Sequence, residues 1–183
     1  MRWAALFDDM EVQFAAALQS ASEEEAADLY RSEQGRVALT ARLAGQGDWT
    51  VTVRVAGGQN FTGRISHVGS EWLVMRSADR SVLIPLAAVQ VVQGLGRAVG
   101  ATPTRVHARL GLASALRTLS RDRQHVSVYA GSADARYDGV LDRIGRDFLE
   151  LALVPTGEER RSSNVQGVVT MPFAAVSAIV TLA

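Results

Sequence analysis

Arg105, Arg109, Arg117, Arg121 and Arg123 crowd residues 105–123, opposed within that span only by Asp122. A guanidinium is a planar fork of donors that grips a phosphate through paired hydrogen bonds, so arginines on successive helical turns suit an RNA backbone. These five are the candidate nucleic-acid contact. The competing reading is a solvated helix face, or a partner for the acidic start of the chain. There Asp8, Asp9, Glu11, Glu23, Glu24, Glu25 and Asp28 face only Arg2, and charge runs usually serve structure. A second candidate is apolar. Trp3, Leu6, Phe7, Met10 and Phe14 recur at spacings of three and four, the stripe of an amphipathic helix suited to a protein partner or to self-association.

The remaining chemistry is sparse. His67, His107 and His125 are scattered, with no carboxylate at ligand spacing, and the chain has no cysteine. Neither a metal centre nor a thiol nucleophile is expected. "GLGRAVG" at 94–100 imitates a dinucleotide-binding turn, but its third glycine comes one place late and Pro103 follows closely, so it reads as a linker. Arg143, Arg146, Arg160 and Arg161 alternate with Asp142, Asp147, Glu158 and Glu159, so their fields largely cancel. No catalytic set, cofactor or small-molecule substrate is expected, and the protein is read as not an enzyme.

The elements that would position these residues follow from composition and period. The 183 residues are 48% hydrophobic and 21% charged with zero formal net charge, a folded profile rather than a wholly cationic one. All nineteen basic residues are arginine, a coding bias before it is a function. The apolar runs are too short to span a bilayer and acids interrupt the amino terminus, so a cytoplasmic protein without membrane contact is expected. Ser22 and Glu25 form a capping box that predicts a helix running towards Ala44. Alternation then takes over in "TVTVRV", and further strands are expected near 61–68, 71–77, 81–86 and 88–93. Thr102 and Pro103 predict a helix running to about Arg121, after which "HVSVYAG" resumes the strand period.

The two halves repeat one another. Val51 and Val53 match Val126 and Val128; Gly63, Ile65, Val68 and Gly69 match Gly139, Leu141, Ile144 and Gly145; Trp72–Leu73 match Phe148–Leu149. "IPLAAVQVV" from Ile84 matches "MPFAAVSAIV" from Met171. Spacing and hydrophobic order agree together, which points to a doubled structural unit. The expected organisation is an N-terminal helical segment (1–44), a first barrel (45–96), a linker with the basic helix (97–123) and a second barrel (124–183).

"GRISHVGSEWL" and "GVLDRIGRDFL", with "LIPLAAVQVV" and "TMPFAAVSAIV", resemble the two motifs of the Sm-like (LSm, Hfq-like) fold. The resemblance implies an α+β, mainly β protein of two tandem helix-plus-five-stranded small barrels, preceded by the amphipathic segment. Barrels of this kind often assemble into rings through strand edges. Gly69 and Leu73, and Gly145 and Leu149, stand where RNA-binding members usually have Asp and Asn. Pro85–Leu86 and Pro172–Phe173 replace their Arg-Gly, so the family's nucleotide pocket is not carried over. The opening "MRW..LFDDMEVQ" also resembles a poorly characterised actinobacterial family sometimes labelled transcriptional regulators. The expected function is a non-enzymatic binding or assembly scaffold linked to RNA or transcription machinery. The alternative is direct, sequence-tolerant RNA binding by a ring oligomer.

Overall fold

The computed structural model describes residues 10, 13, 19–20, 23–32, 34–77, 80–100, 111–132, 135–155, 158, 161 and 163–182. The chain divides into two units, residues 1–38 and 39–183. In the first, residues 23–32 are helical and exposed, with an Arg31–Asp28 ion pair one turn apart and Gln19 Nε2 donating to Glu23 Oε1 at 3.4 Å. Met10 is exposed; Trp3, Leu6, Phe7 and Phe14 lie outside the described residues. The helix expected to continue towards Ala44 is interrupted at 36–38, and a short helix α1 (Leu39–Ala44) opens the second unit.

In the second unit the alternating segments form strands β1 (Thr50–Val55), β2 (Asn60–Val68), β3 (Trp72–Ser77), β4 (Arg80–Pro85) and β5 (Val89–Gln93). Helix α2 (Leu112–Arg121) follows, then β6 (His125–Ala130), β7 (Arg136–Ile144), β8 (Phe148–Leu153), β9 (Gly167–Pro172) and β10 (Val176–Leu182). Pro85 and Pro172 each end a strand and lead into a single 3-10 turn, because a residue with no N–H cannot extend the ladder.

The expectation of two separate barrels is corrected by the strand order. All ten strands belong to one open antiparallel sheet, β5-β1-β2-β3-β4-β10-β6-β7-β8-β9. Each half does repeat one order, last strand first, but neither closes on itself. Closure would require β4 to reach β5 and β9 to reach β10. Instead β4 pairs with β10, Leu83 opposite Ile179 and Ser81 opposite Thr181. The edge that would have sealed the first half is taken by the last strand of the second, and the ladder runs through.

Correspondence between the halves extends to irregularities. The β2–β3 ladder skips Ser66 and the β7–β8 ladder skips Asp142 at the matching place. The β1–β5 ladder skips Gln90 and the β6–β10 ladder skips Ser177. Such bulges sharpen the bend of a strand. Val68 lies opposite Leu73, and Ile144 opposite Leu149, in equivalent positions.

Two cores result, on opposite faces of the one sheet. Leu43, Val51, Val53, Ile65, Leu73, Met75, Val82 and Ile84 form the first, which also takes in Ala178, Val180 and Tyr129 from the second half. Leu112, Leu116, Val126, Val128, Leu141, Leu149, Leu151 and Ile179 form the other, which takes in Leu83, Trp72 and Val74 from the first half. Val82 and Leu83 are neighbours pointing to opposite faces, yet both are buried. The β4–β10 seam is therefore covered on both sides, the condition under which a strand reads as a continuous apolar run.

Candidate binding surfaces

The seam positions the surfaces that remain open. Helix α2 is anchored to both halves by matching turns. The Leu112 N–H, free because it lies in the first helical turn, donates to Glu71 Oε2 at 3.1 Å. Farther along, Arg117 donates from its guanidinium to the Gly145 carbonyl at 3.1 Å. Glu71 sits in the β2–β3 turn and Gly145 in the β7–β8 turn. Between α2 and strands β3, β4 and β10 lies a groove of about 270 Å³, floored by Trp72, Val74, Leu83 and Ile179 and rimmed by His67 and Thr118.

Of the arginines singled out by spacing, Arg117, Arg121 and Arg123 are exposed on or just beyond α2, and Arg105 and Arg109 lie outside the described residues. The helix is capped at Gly111; Thr102 and Pro103 also lie outside the description. The guanidinium groups of Arg121 and Arg123 have no hydrogen-bond or ion-pair partner among the described residues, whereas that of Arg117 is tied to Gly145.

The segment read as a linker is partly a strap. Gln46, fully buried, donates from Nε2 to the carbonyls of Arg42 (3.2 Å) and Ala98 (3.0 Å) and accepts the Gly96 N–H at 2.8 Å. Arg42 adds bonds to the carbonyls of Gly96 and Arg97, each at 2.6 Å. Residues 94–98 are thereby held against α1. In the sequence Gln46 was hidden between two glycines, in a turn where a polar residue is ordinary.

Among the described residues the sheet has two open edges, β5 and β9. On β9 the Phe173 N–H donates inward to Asp147 O at 2.8 Å, so by alternation the N–H and C=O groups of Thr170 and Val168 point outward. Val168 is 54% exposed, whereas its counterpart Ser81 on β4 lies opposite Thr181 in the seam. At the other end Val91 is exposed, and Gly94, in the left-handed region at φ 84°, stops β5 early.

Among the described residues no group of three His, Cys, Asp or Glu converges as metal ligands would, and no helix is long and apolar enough to cross a membrane. No known family model matches the chain, and no curated protein is significantly similar to it.

Proposed function

We propose that this chain is a non-enzymatic assembly module that joins further copies of itself through its open sheet edges. One observation carries the reading: among the described residues no strand pairs with the outer edge of β9, at the position where its counterpart β4 is covered by β10. The molecule thus contains one finished joint and the two halves of another, since β5 is the counterpart of β10. Repeating the internal register would place Thr170 opposite Val92, and Val168 opposite Gly94, of the next copy. The early stop at Gly94 makes this ladder shorter than the internal one, so association is weak and concentration-dependent. A head-to-tail contact of this kind generates rings or open filaments according to the rotation at each joint.

Light scattering on a sizing column tests it. Mass should rise above 19.6 kDa as concentration is raised. A monomer at every concentration refutes the proposal. The second reading is RNA binding by such an assembly through α2, supported by the unpartnered guanidinium groups of Arg121 and Arg123. The wider link to RNA or transcription machinery draws on the resemblance in sequence.

A further inference from the structure

The first four strands carry Arg54, Arg64, Arg76 and Arg80 and not one carboxylate. Their counterparts β6–β9 mix Arg136 and Arg143 with Asp138, Asp142 and Glu150. One half of the sheet is therefore strongly cationic and the other is not, although the chain as a whole is neutral.

Register gathers that charge on one face. Thr50 lies opposite Arg64, and Arg64 opposite Arg76, so the three share the face turned away from the first core. Thr52, opposite Thr62, and Arg54, opposite Asn60, extend it along β1 and β2. Arg54, Arg64 and Arg76 are exposed, and their guanidinium groups have no hydrogen-bond or ion-pair partner among the described residues. Like charges directly opposite across a ladder destabilise it unless an anion lies between them. The space for one is present: Thr50, Thr62, Arg64, Ser66 and Arg76 line a notch of about 560 Å³. Among the described residues Asp48, on the turn after α1, is the one carboxylate that lines it. In contrast, Arg136 in the second half is neutralised within the protein, donating from Nε to Asp138 Oδ1 at 3.0 Å.

From this juxtaposition we infer that the outer face of β1–β3 is a phosphate-binding surface whose ligand is the backbone of a nucleic acid. Guanidinium groups and threonine hydroxyls are donors to phosphate oxygens. The three arginines extend over adjacent strands, so successive phosphates are held rather than one. Of the aromatic rings of this half, Phe61 and Trp72 pack into the two cores, whereas Trp49, next to Thr50, is 62% exposed. Every nucleotide offers a phosphate to the arginines and every base a face to an exposed ring, so recognition is sequence-tolerant, with RNA and DNA strands bound alike. The inference does not depend on assembly.

The test is fluorescence anisotropy with labelled oligo-U and oligo-dT of about twenty nucleotides. Both should bind at about 50 mM salt and weaken roughly twentyfold by about 200 mM, the slope for about three single-strand phosphate contacts. The double variant Arg64→Ser/Arg76→Ser, altered only at exposed positions, should lose about tenfold or more in affinity and flatten the salt dependence. Arg121→Ser/Arg123→Ser should bind as the unaltered chain does. Four results overturn the assignment: no binding at low salt, full binding by Arg64→Ser/Arg76→Ser, loss confined to the helix variant, or displacement of the strand by inorganic phosphate at equal phosphate concentration. The last would mark an isolated anion notch instead of a strand-binding face.

Discussion

Phe61 of β2 and Tyr129 of β6 meet edge to face, ring centroids 5.7 Å apart and planes inclined by 78°. The two rings come from different halves, so the contact exists only because the sheet is continuous. Arg136 lies over the Tyr129 ring at 5.9 Å, so that ring has both a cation and an aromatic neighbour. Truncating either ring to Ala should destabilise by about 1–3 kcal/mol. The double variant should cost about 0.5–1.5 kcal/mol less than the sum, because an aromatic pair is lost only once. Urea unfolding of the four proteins measures this; additive losses would mean the rings are neighbours without energetic coupling.

Gly63 and Gly139 are fixed by a neighbour's backbone. A Cβ on Gly63 would lie 2.3 Å from the Arg76 carbonyl oxygen, and one on Gly139 would lie 2.1 Å from that of Ala152. Those carbonyls belong to paired strands and cannot retreat without breaking the ladder. Gly63→Ala and Gly139→Ala should each cost at least ~2 kcal/mol, seen as a melting temperature lower by roughly 4–8 °C. Gly47→Ala is the control, since a Cβ there meets nothing within 4 Å. Equal melting temperatures for all three would show that the strands have room to separate.

These glycines also mark how far sequence could reach. Alternation located the strands, and the repeat located the matching glycines and prolines, because those signals are local. The joining of the halves is not local: Thr181 Oγ1 donates to the Ser81 carbonyl across most of the second unit. Its one trace in the sequence is the unbroken apolar run "VLIP" in β4, buried on both faces, against the alternating burial of β9. Two short strands with open edges look alike until one of them finds a partner. The arginine face was hidden for a similar reason. Arg54, Arg64 and Arg76 stand singly in three strands and become neighbours through register alone, whereas the arginines of α2 are conspicuous because they are close in sequence.

Glu71 ties α2 to the first half by accepting the Leu112 N–H. Its carboxylate satisfies a donor of the first helical turn and opposes the positive end of the helix dipole. Glu71→Gln keeps an acceptor and removes the charge, and should cost about 0.3–1 kcal/mol. Glu71→Ala removes both and should cost about 1 kcal/mol, with faster hydrogen exchange at Leu112. Unchanged exchange in Glu71→Ala would show that the amide has another partner.

Thr170 separates folding from assembly. Its N–H points to the open edge, by alternation from the inward Phe173 N–H that donates to Asp147. Proline at this position therefore deletes a donor that no bond inside the chain requires, and strand edges tolerate the ring. Thr170→Pro should fold with a stability within about 1 kcal/mol of the unaltered chain. If copies join through β9, the same change removes a rung from a short ladder and should raise the concentration needed for association by about tenfold, the equivalent of about 1.4 kcal/mol. The register supplies a positive counterpart. The chain has no cysteine, so Thr170→Cys combined with Val92→Cys should form disulfides between copies and a ladder of species on a non-reducing gel. Either cysteine alone can make dimers at most. Association of Thr170→Pro equal to that of the unaltered chain, together with no ladder from the cysteine pair, would mean that β9 does not receive β5 and that assembly, if light scattering shows it, uses another surface.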